Sequence, residues 1–282
     1  MPKATVLSPF ENASAAYSMR IPSGSSYNGN LIRVRRSSDN AEQDFGAVSA
    51  DSNGNKWLDT TSILAFCGAG NGNITTWYDQ SGNGRNLIET FVNAQPLIVI
   101  SGVLQTFNST PCIDMFGNRG LTTPSFSCGV SRFTANSVFS GGLSPFCRIV
   151  SVISDADSFD ASSNTSVAAI LRTSNFLGIW SYRNGVASTS VAMGSSGIVT
   201  NSYDATGAHN SVNGSAQNTS VFSETSLGAN VKLMLAGSSI GGGYGMTGMI
   251  SEVLWFHSQL ATIDKQRLEN SQSIAYGITL TP

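Results

Sequence analysis

From residue 96 onward the chain is cut into short apolar or alternating runs, each closed by turn residues. The runs are Pro96–Ile100, Cys112–Phe116, Cys147–Ser154, Val167–Arg172, Phe176–Tyr182, Ala187–Met193, Ile198–Asp204, His209–Val212, Ala216–Phe222, Val231–Ala236 and Gly248–Phe256. Short strands recurring at roughly 8–12 residues with turn signals between them predict an antiparallel sandwich. Asn-Gly pairs punctuate the whole chain, at Asn28–Gly29, Asn53–Gly54, Asn71–Gly72, Asn83–Gly84, Asn184–Gly185 and Asn213–Gly214. Both residue types tolerate the positive φ that a two-residue hairpin turn requires. Asn184–Gly185 and Asn213–Gly214 lie between apolar runs and are predicted hairpins.

Helical signals are few. Asn12–Arg20 reads as a short helix capped by Asn12 or Ser14. Asp59–Cys67 reads as another, with Asp59 as cap, Ile63, Leu64, Phe66 and Cys67 inward, and Gly68 as stop. Thr262–Ala275 is predicted as a C-terminal amphipathic helix, capped by Thr262, with Asp264 at its positive end and Ile263, Leu268 and Ile274 marking an apolar stripe. Leu31–Arg36 alternates as a strand, which puts Arg33 and Arg35 on one face and Arg36 on the other. Their expected partners are Asp39, Glu42 and Asp44.

Charge is sparse: 11% of the 282 residues are ionic and the net charge is −2. Neutral Ser, Thr, Asn and Gly take the surface positions, as suits a rigid extracellular particle or a glycan contact. No basic stripe is present, so nucleic acid is not an expected partner. No apolar run approaches the ~20 residues of a membrane span. Met1–Ser18 lacks the apolar core of an export signal, which implies synthesis without secretion. Cys67, Cys112, Cys128 and Cys147 show no metal-site spacing and are read as mostly free, buried thiols, with two disulfides permitted by their number.

Four segments share a further property. Ala16–Arg20 (AYSMR), Leu31–Asn40 (LIRVRRSSDN), Leu58–Gly70 (LDTTSILAFCGAG) and Thr75–Gly84 (TTWYDQSGNG) together resemble the opening third of the arabinofuranosidase-B-type catalytic domain. The closing GMISEVLWF strand, helix and "YGI" are similar to the end of laminin-G-like domains. The resemblance implies an all-β, concanavalin-A-like (jelly-roll) sandwich over residues 1–282, with 1–11 as an irregular arm, 12–90 wrapped onto the sandwich, and 91–282 supplying strands and the last helix. The same segment occurs in many bacteriophage proteins. The adjacent cysteine pair of the arabinofuranosidase family is absent and its later carboxylate motifs are not matched, so no catalytic residue is carried over.

Candidate sites follow from chemistry. In TTWYDQSGNG, Trp77 and Tyr78 can stack on a sugar ring while Asp79, Gln80 and Asn83 bond its hydroxyls; Tyr244, in the Gly-rich Ser238–Met246, is a further aromatic contact. The competing reading is a structural corner that pins the N-terminal third in place. Asp155, Asp157 and Asp160 offer alternating oxygen ligands for calcium, the one cofactor considered. Glycoside hydrolysis needs two carboxylates, for which Glu252 and Glu224 are the candidates. His209 and His257 have no nucleophile elbow near them. The expectation drawn from these readings is a non-enzymatic bacteriophage virion subunit: a capsid decoration, head fibre or tail-associated protein. It would be located in the virion, be homo-oligomeric, contact other virion proteins and touch host-surface glycan. The alternatives are a glycoside hydrolase of arabinofuranosidase type and a lectin without catalysis.

Overall fold

The computed structural model describes residues 9–117, 119–127, 132–141, 147–154, 167–173, 176–181, 185–192, 195–204, 207–215, 218–220, 230–236 and 246–281. Its central strands are antiparallel and form two layers. In the first, Gly248–Phe256 lies between Ala15–Ser18 and Phe133–Gly141, which continues through Ser196–Asp204 to Gly207–Val212 and Asn218–Ser220. In the second, Cys147–Ser154 lies between Val167–Thr173 and Asn230–Ala236. Gly120–Thr122 then joins Asn230–Ala236 to Leu87–Ile88, Gly72–Trp77, Ile32–Arg36 and Glu42–Phe45. Leu97–Ile100 and Ile113–Asp114 bridge the layers. This is an all-β, concanavalin-A-like sandwich.

Alternation decides what fills the space between the layers. Ala15, Tyr17, Ala135, Phe139, Val253 and Trp255 of the first layer meet Val34, Ile74, Trp77, Leu121, Val152 and Leu233 of the second in one continuous core. Phe133 stacks on Trp255 at 4.6 Å between centroids. Each such aromatic buries on the order of 150–250 Å² and anchors the layers. The N-terminal third supplies strands to both layers, Ala15–Ser18 to the first and Ile32–Arg36, Glu42–Phe45 and Gly72–Trp77 to the second.

Local signals were reliable where the deciding contact is local. The first helix, α1 (Thr60–Cys67), is capped by Asp59, whose carboxylate accepts the Ser62 N–H at 3.0 Å; such a cap contributes about 1 kcal/mol. Gly68 ends it at φ +56°. Ile63 and Cys67 are buried, while Leu64 and Phe66 pack on the core only partly covered. Asn213 (φ +50°) and Gly214 (φ +78°) make the turn between Gly207–Val212 and Asn218–Ser220. Phe176–Ser181 pairs with Gly185–Ala192 around the second predicted hairpin. Arg33 pairs with Asp44 and Arg36 with Asp39. Cys67 and Cys112 are free and buried; Cys128 lies outside the described residues.

Two helix readings need correction. Asn12–Arg20 is not helical: a 3-10 turn spans Pro9–Asn12, then Ala15–Ser18 and Arg20–Ile21 are strands. Pairing of Ala15–Ser18 with Glu252–Trp255 overrides the helical preference of its two alanines. The second helix, α2 (Thr262–Tyr276), is present, but Ala261 holds the cap position and makes no side-chain bond. The predicted apolar stripe is mostly on the wrong side. Ile263 and Ile274 are exposed, and the buried face carries Lys265, Leu268, Glu269, Gln272 and Tyr276. This helix seals the outer face of the first layer. Both ends are apolar: Leu268 meets Phe10, Ala16, Leu254 and Phe256, and Tyr276 joins Phe107, Cys112, Val138, Ile198 and Ile278; the contacts between them are polar.

Candidate functional site

The TTWYDQSGNG loop follows the strand Gly72–Trp77. The Trp77 ring is 0% exposed, 5.9 Å from the Tyr17 ring, and its N–H donates to the Ser18 carbonyl at 3.4 Å. A buried indole offers no face to a sugar, so Trp77 is corrected from stacking platform to core. Asp79 is saturated. Its Oδ1 accepts the N–H groups of Ala16 and Ser81, and its Oδ2 accepts the Arg85 N–H and the Ser81 hydroxyl, all at 2.9–3.0 Å. Gln80 is buried and donates to the Ser18 carbonyl at 2.7 Å. The Asn83 amide reaches the Ala13 and Ser14 carbonyls. Tyr78, half-buried, donates to Asp44 at 2.7 Å; burial and that carboxylate push its hydroxyl up to about 12. Asp79, Gln80 and Asn83 thus bind the backbone of residues 13–18, while the Gln80 Oε1 and Thr75 Oγ1 atoms are buried without a hydrogen-bond partner. The loop is the corner that binds the N-terminal strand to the second layer, and Trp77, Asp79 and Gln80 are withdrawn as glycan contacts. Tyr244 lies outside the described residues.

Under α2 lies a polar network that sequence reading did not foresee. Arg20 and Glu252 form an ion pair at 3.0 Å with both side chains essentially sealed from water. Glu252 also accepts from Ser18 Oγ at 2.7 Å, Tyr276 Oη at 2.9 Å and Gln272 Nε2 at 2.9 Å. Arg20 donates onward to Asn55 at 2.6 Å and Ser271 at 3.2 Å. Burial, the largest single influence, would lower the Arg20 pKa; Glu252 and Tyr276 together outweigh it and the net direction is upward. Burial, then Glu252, drives the Tyr276 hydroxyl well up. Farther along the helix, Glu269 accepts from Thr200 at 2.6 Å and Ser211 at 3.3 Å, and Lys265 donates to Ser211 at 3.1 Å. A carboxylate so enclosed cannot meet a glycosidic oxygen, so Glu252 is corrected from candidate catalyst to structural anchor. Glu224 and the candidate calcium ligands Asp155, Asp157 and Asp160 lie outside the described residues. Among the described residues no group of three or more His, Cys, Asp or Glu side chains could hold a metal.

Among the described residues, one cleft has ligand-like chemistry. A cleft of about 300 Å³ is lined by Asp51, Asn53, Trp57 and Leu58 of one hairpin, Thr60 of α1, Ser109, Thr110 and Pro111, and Ile274 and Ala275 of α2. Trp57 was not singled out in the sequence. Its signal is an aromatic residue on the strand Lys56–Leu58 that follows the Asn53–Gly54 turn. Near the other edge of the first layer, His257 stacks on Phe126, and the Arg85 guanidinium lies over the same ring at 4.3 Å. Burial, then Arg85, lowers the His257 pKa to about 4.

Fold and site define the class as a β-sandwich whose described polar interior is structural and whose open cleft pairs an indole with hydroxyl and amide groups. Comparison narrows it. Residues 11–97 match the family model for alpha-L-arabinofuranosidase B, catalytic. Across nearly the whole chain the fold is similar to a GH54 α-L-arabinofuranosidase, solved as a Glu→Gln mutant soaked with 4-nitrophenyl α-L-arabinofuranoside. That match has a TM-score of 0.68 at 16% identity, covering 94% of this chain and 63% of that one. An arabinofuranosidase complexed with arabinofuranosyl-α-1,2-xylobiose is similar at TM-score 0.67 and 17% identity, with the same coverage. The chain thus spans about 63% of the length of these enzymes. No curated protein sequence matches. The expectation of a non-enzymatic virion subunit is overturned by these matches, which are to arabinofuranosidases.

Proposed function

We propose that the chain is the catalytic portion of a glycoside hydrolase of arabinofuranosidase type. The observation that carries this reading is the coincidence of the family match over residues 11–97 with a fold likeness extending over 94% of the chain. The TTWYDQSGNG corner fits it: a lock that fixes the N-terminal strand is scaffold, and scaffold is what the matched segment supplies. The substrate class is a non-reducing α-L-arabinofuranosyl unit, as in the ligands bound by the two similar enzymes.

Hydrolysis of this bond requires one carboxylic acid to protonate the leaving oxygen and a second carboxylate as nucleophile or base, about 5–5.5 Å away for retention and about 6.5–9.5 Å for inversion. Asp79 and Glu252 are committed to structure. The reading therefore assigns the pair to the remaining acidic residues, with Glu224, Asp155, Asp157 and Asp160 as the first to replace. The test is turnover of 4-nitrophenyl α-L-arabinofuranoside by the wild type and by Glu224→Gln, Asp155→Asn, Asp157→Asn and Asp160→Asn. Loss of the acid or of the nucleophile lowers kcat on the order of 10²-fold or more. If all four variants keep wild-type kcat, this assignment is wrong.

A further inference from the structure

We propose that the cleft walled by Trp57 and Ile274 is a binding site for one neutral sugar ring of a polysaccharide chain. Its size is at the lower end of small-ligand pockets, about 300–1,000 Å³, which matches a single ring better than an extended ligand. Its walls are of two kinds. Trp57, Leu58, Pro111, Ile274 and Ala275 give apolar surface; Asp51, Asn53, Thr60, Ser109 and Thr110 give hydroxyl, amide and carboxylate groups. A sugar has the same division, with C–H faces and hydroxyl edges.

The aromatic wall is held in place before any ligand arrives. The Trp57 N–H donates to Asp51 Oδ2 at 2.8 Å. Its ring meets Tyr276 edge-on at 5.6 Å and 89°, and Tyr276 is itself fixed by its bond to the buried Glu252. A side chain whose rotamer is already fixed loses little entropy on binding. Asp51 is likewise positioned, its Oδ1 accepting the backbone N–H groups of Asn53 and Asn55. Opposite, Ser109 is presented at φ +65°. Ile274 is 65% exposed on the last turns of α2, and its place on the cleft wall gives that apolar exposure a use.

The lining also discriminates. No Lys, Arg or His borders the cleft and one carboxylate does, so phosphate and carboxylate ligands are disfavoured. Ten lining residues divided evenly between polar and apolar disfavour a purely apolar guest. That the sugar belongs to an arabinose-bearing polysaccharide rests on the proposed hydrolase reading; that the cleft takes a sugar does not.

The experiment is isothermal titration of arabino-oligosaccharides and xylo-oligosaccharides, with cello-oligosaccharides as comparison, into wild type, Trp57→Ala and Ile274→Arg. Trp57→Ala removes the aromatic wall but also a Tyr276 contact, so its fold is checked by circular dichroism. Ile274→Arg leaves Trp57 untouched and puts a cation in the last turns of α2, where the helix dipole favours it. Both variants are expected to bind about tenfold more weakly or worse. Equal affinity in all three proteins, or no wild-type binding at millimolar sugar, overturns the proposal. Turnover of the aryl arabinofuranoside is followed in parallel. Turnover without cleft-dependent binding removes the cleft alone; cleft-dependent binding without turnover removes the hydrolase reading alone.

Discussion

Replacing Glu252 by Gln separates a structural carboxylate from a catalytic one. The substitution keeps shape but removes the charge facing Arg20, whose Nε lies 3.0 Å away in a fully buried site. It also turns an acceptor for Ser18, Tyr276 and Gln272 into a group with two donors of its own. Leaving one member of a buried pair uncompensated costs about 3–5 kcal/mol. At about 2.1 cal/mol/K of unfolding entropy per residue, a chain of 282 residues moves its Tm by about 1.7 °C per kcal/mol. The expected fall is therefore roughly 5–8 °C, read by circular dichroism at neutral pH. Arg20→Met in the Glu252→Gln background removes the stranded charge and should restore at least about 2 kcal/mol. Turnover per folded molecule should stay within about twofold of wild type. A Tm change under about 2 °C would show that the pair is not as sealed as described. A stable but inactive Glu252→Gln would refute the exclusion of Glu252 from chemistry.

Three further perturbations test other parts of the molecule. Asp79→Ala leaves the Ala16 and Arg85 N–H groups without their acceptor; at about 1–3 kcal/mol per buried unpaired group, limited proteolysis should cut the N-terminal segment sooner than in wild type. Stability should also fall with acid through His257. Its folded pKa, about 4, is below the ordinary 6.5, so the unfolded chain binds the proton first. The contribution is fully present above pH 6.5 and is lost as pH falls toward 4; His257→Phe should flatten that part of a Tm-against-pH curve, and an unchanged slope would count against it. Gly248→Ala would set a Cβ 2.6 Å from the Ser140 carbonyl oxygen, forcing apart two central strands at a cost of about 1–3 kcal/mol in urea unfolding.

What the sequence revealed follows the range of the deciding interaction. The Asp59 cap and the Asn213–Gly214 turn were legible because each is settled within a few residues. Ala15–Ser18 was misread because its partner strand lies more than two hundred residues away. The covered face of α2 was misread for a related reason. Lys265, Glu269 and Gln272 look like a solvated stripe until Ser211, Thr200 and Glu252 appear beneath them. Trp77 drew attention as an aromatic in a polar loop, yet strand alternation turned it into the core, while the less conspicuous Trp57 took the cleft. The TTWYDQSGNG segment was legible as part of a resemblance, since matched by the family model over residues 11–97, and as a corner, two readings that agree once Asp79 is seen to be saturated. The virion expectation failed because it leaned on low charge, on a start without an export signal and on where such segments also occur, all silent about chemistry.

The central claim is arabinofuranoside hydrolysis, and the most direct measurement is the initial rate of 4-nitrophenol release from 4-nitrophenyl α-L-arabinofuranoside by purified protein, beside the matched α-L-arabinopyranoside and β-D-xylopyranoside. The account predicts saturable, enzyme-proportional release from the furanoside at least about a hundredfold faster than from either pyranoside. No release above the uncatalysed rate from any of the three would contradict it.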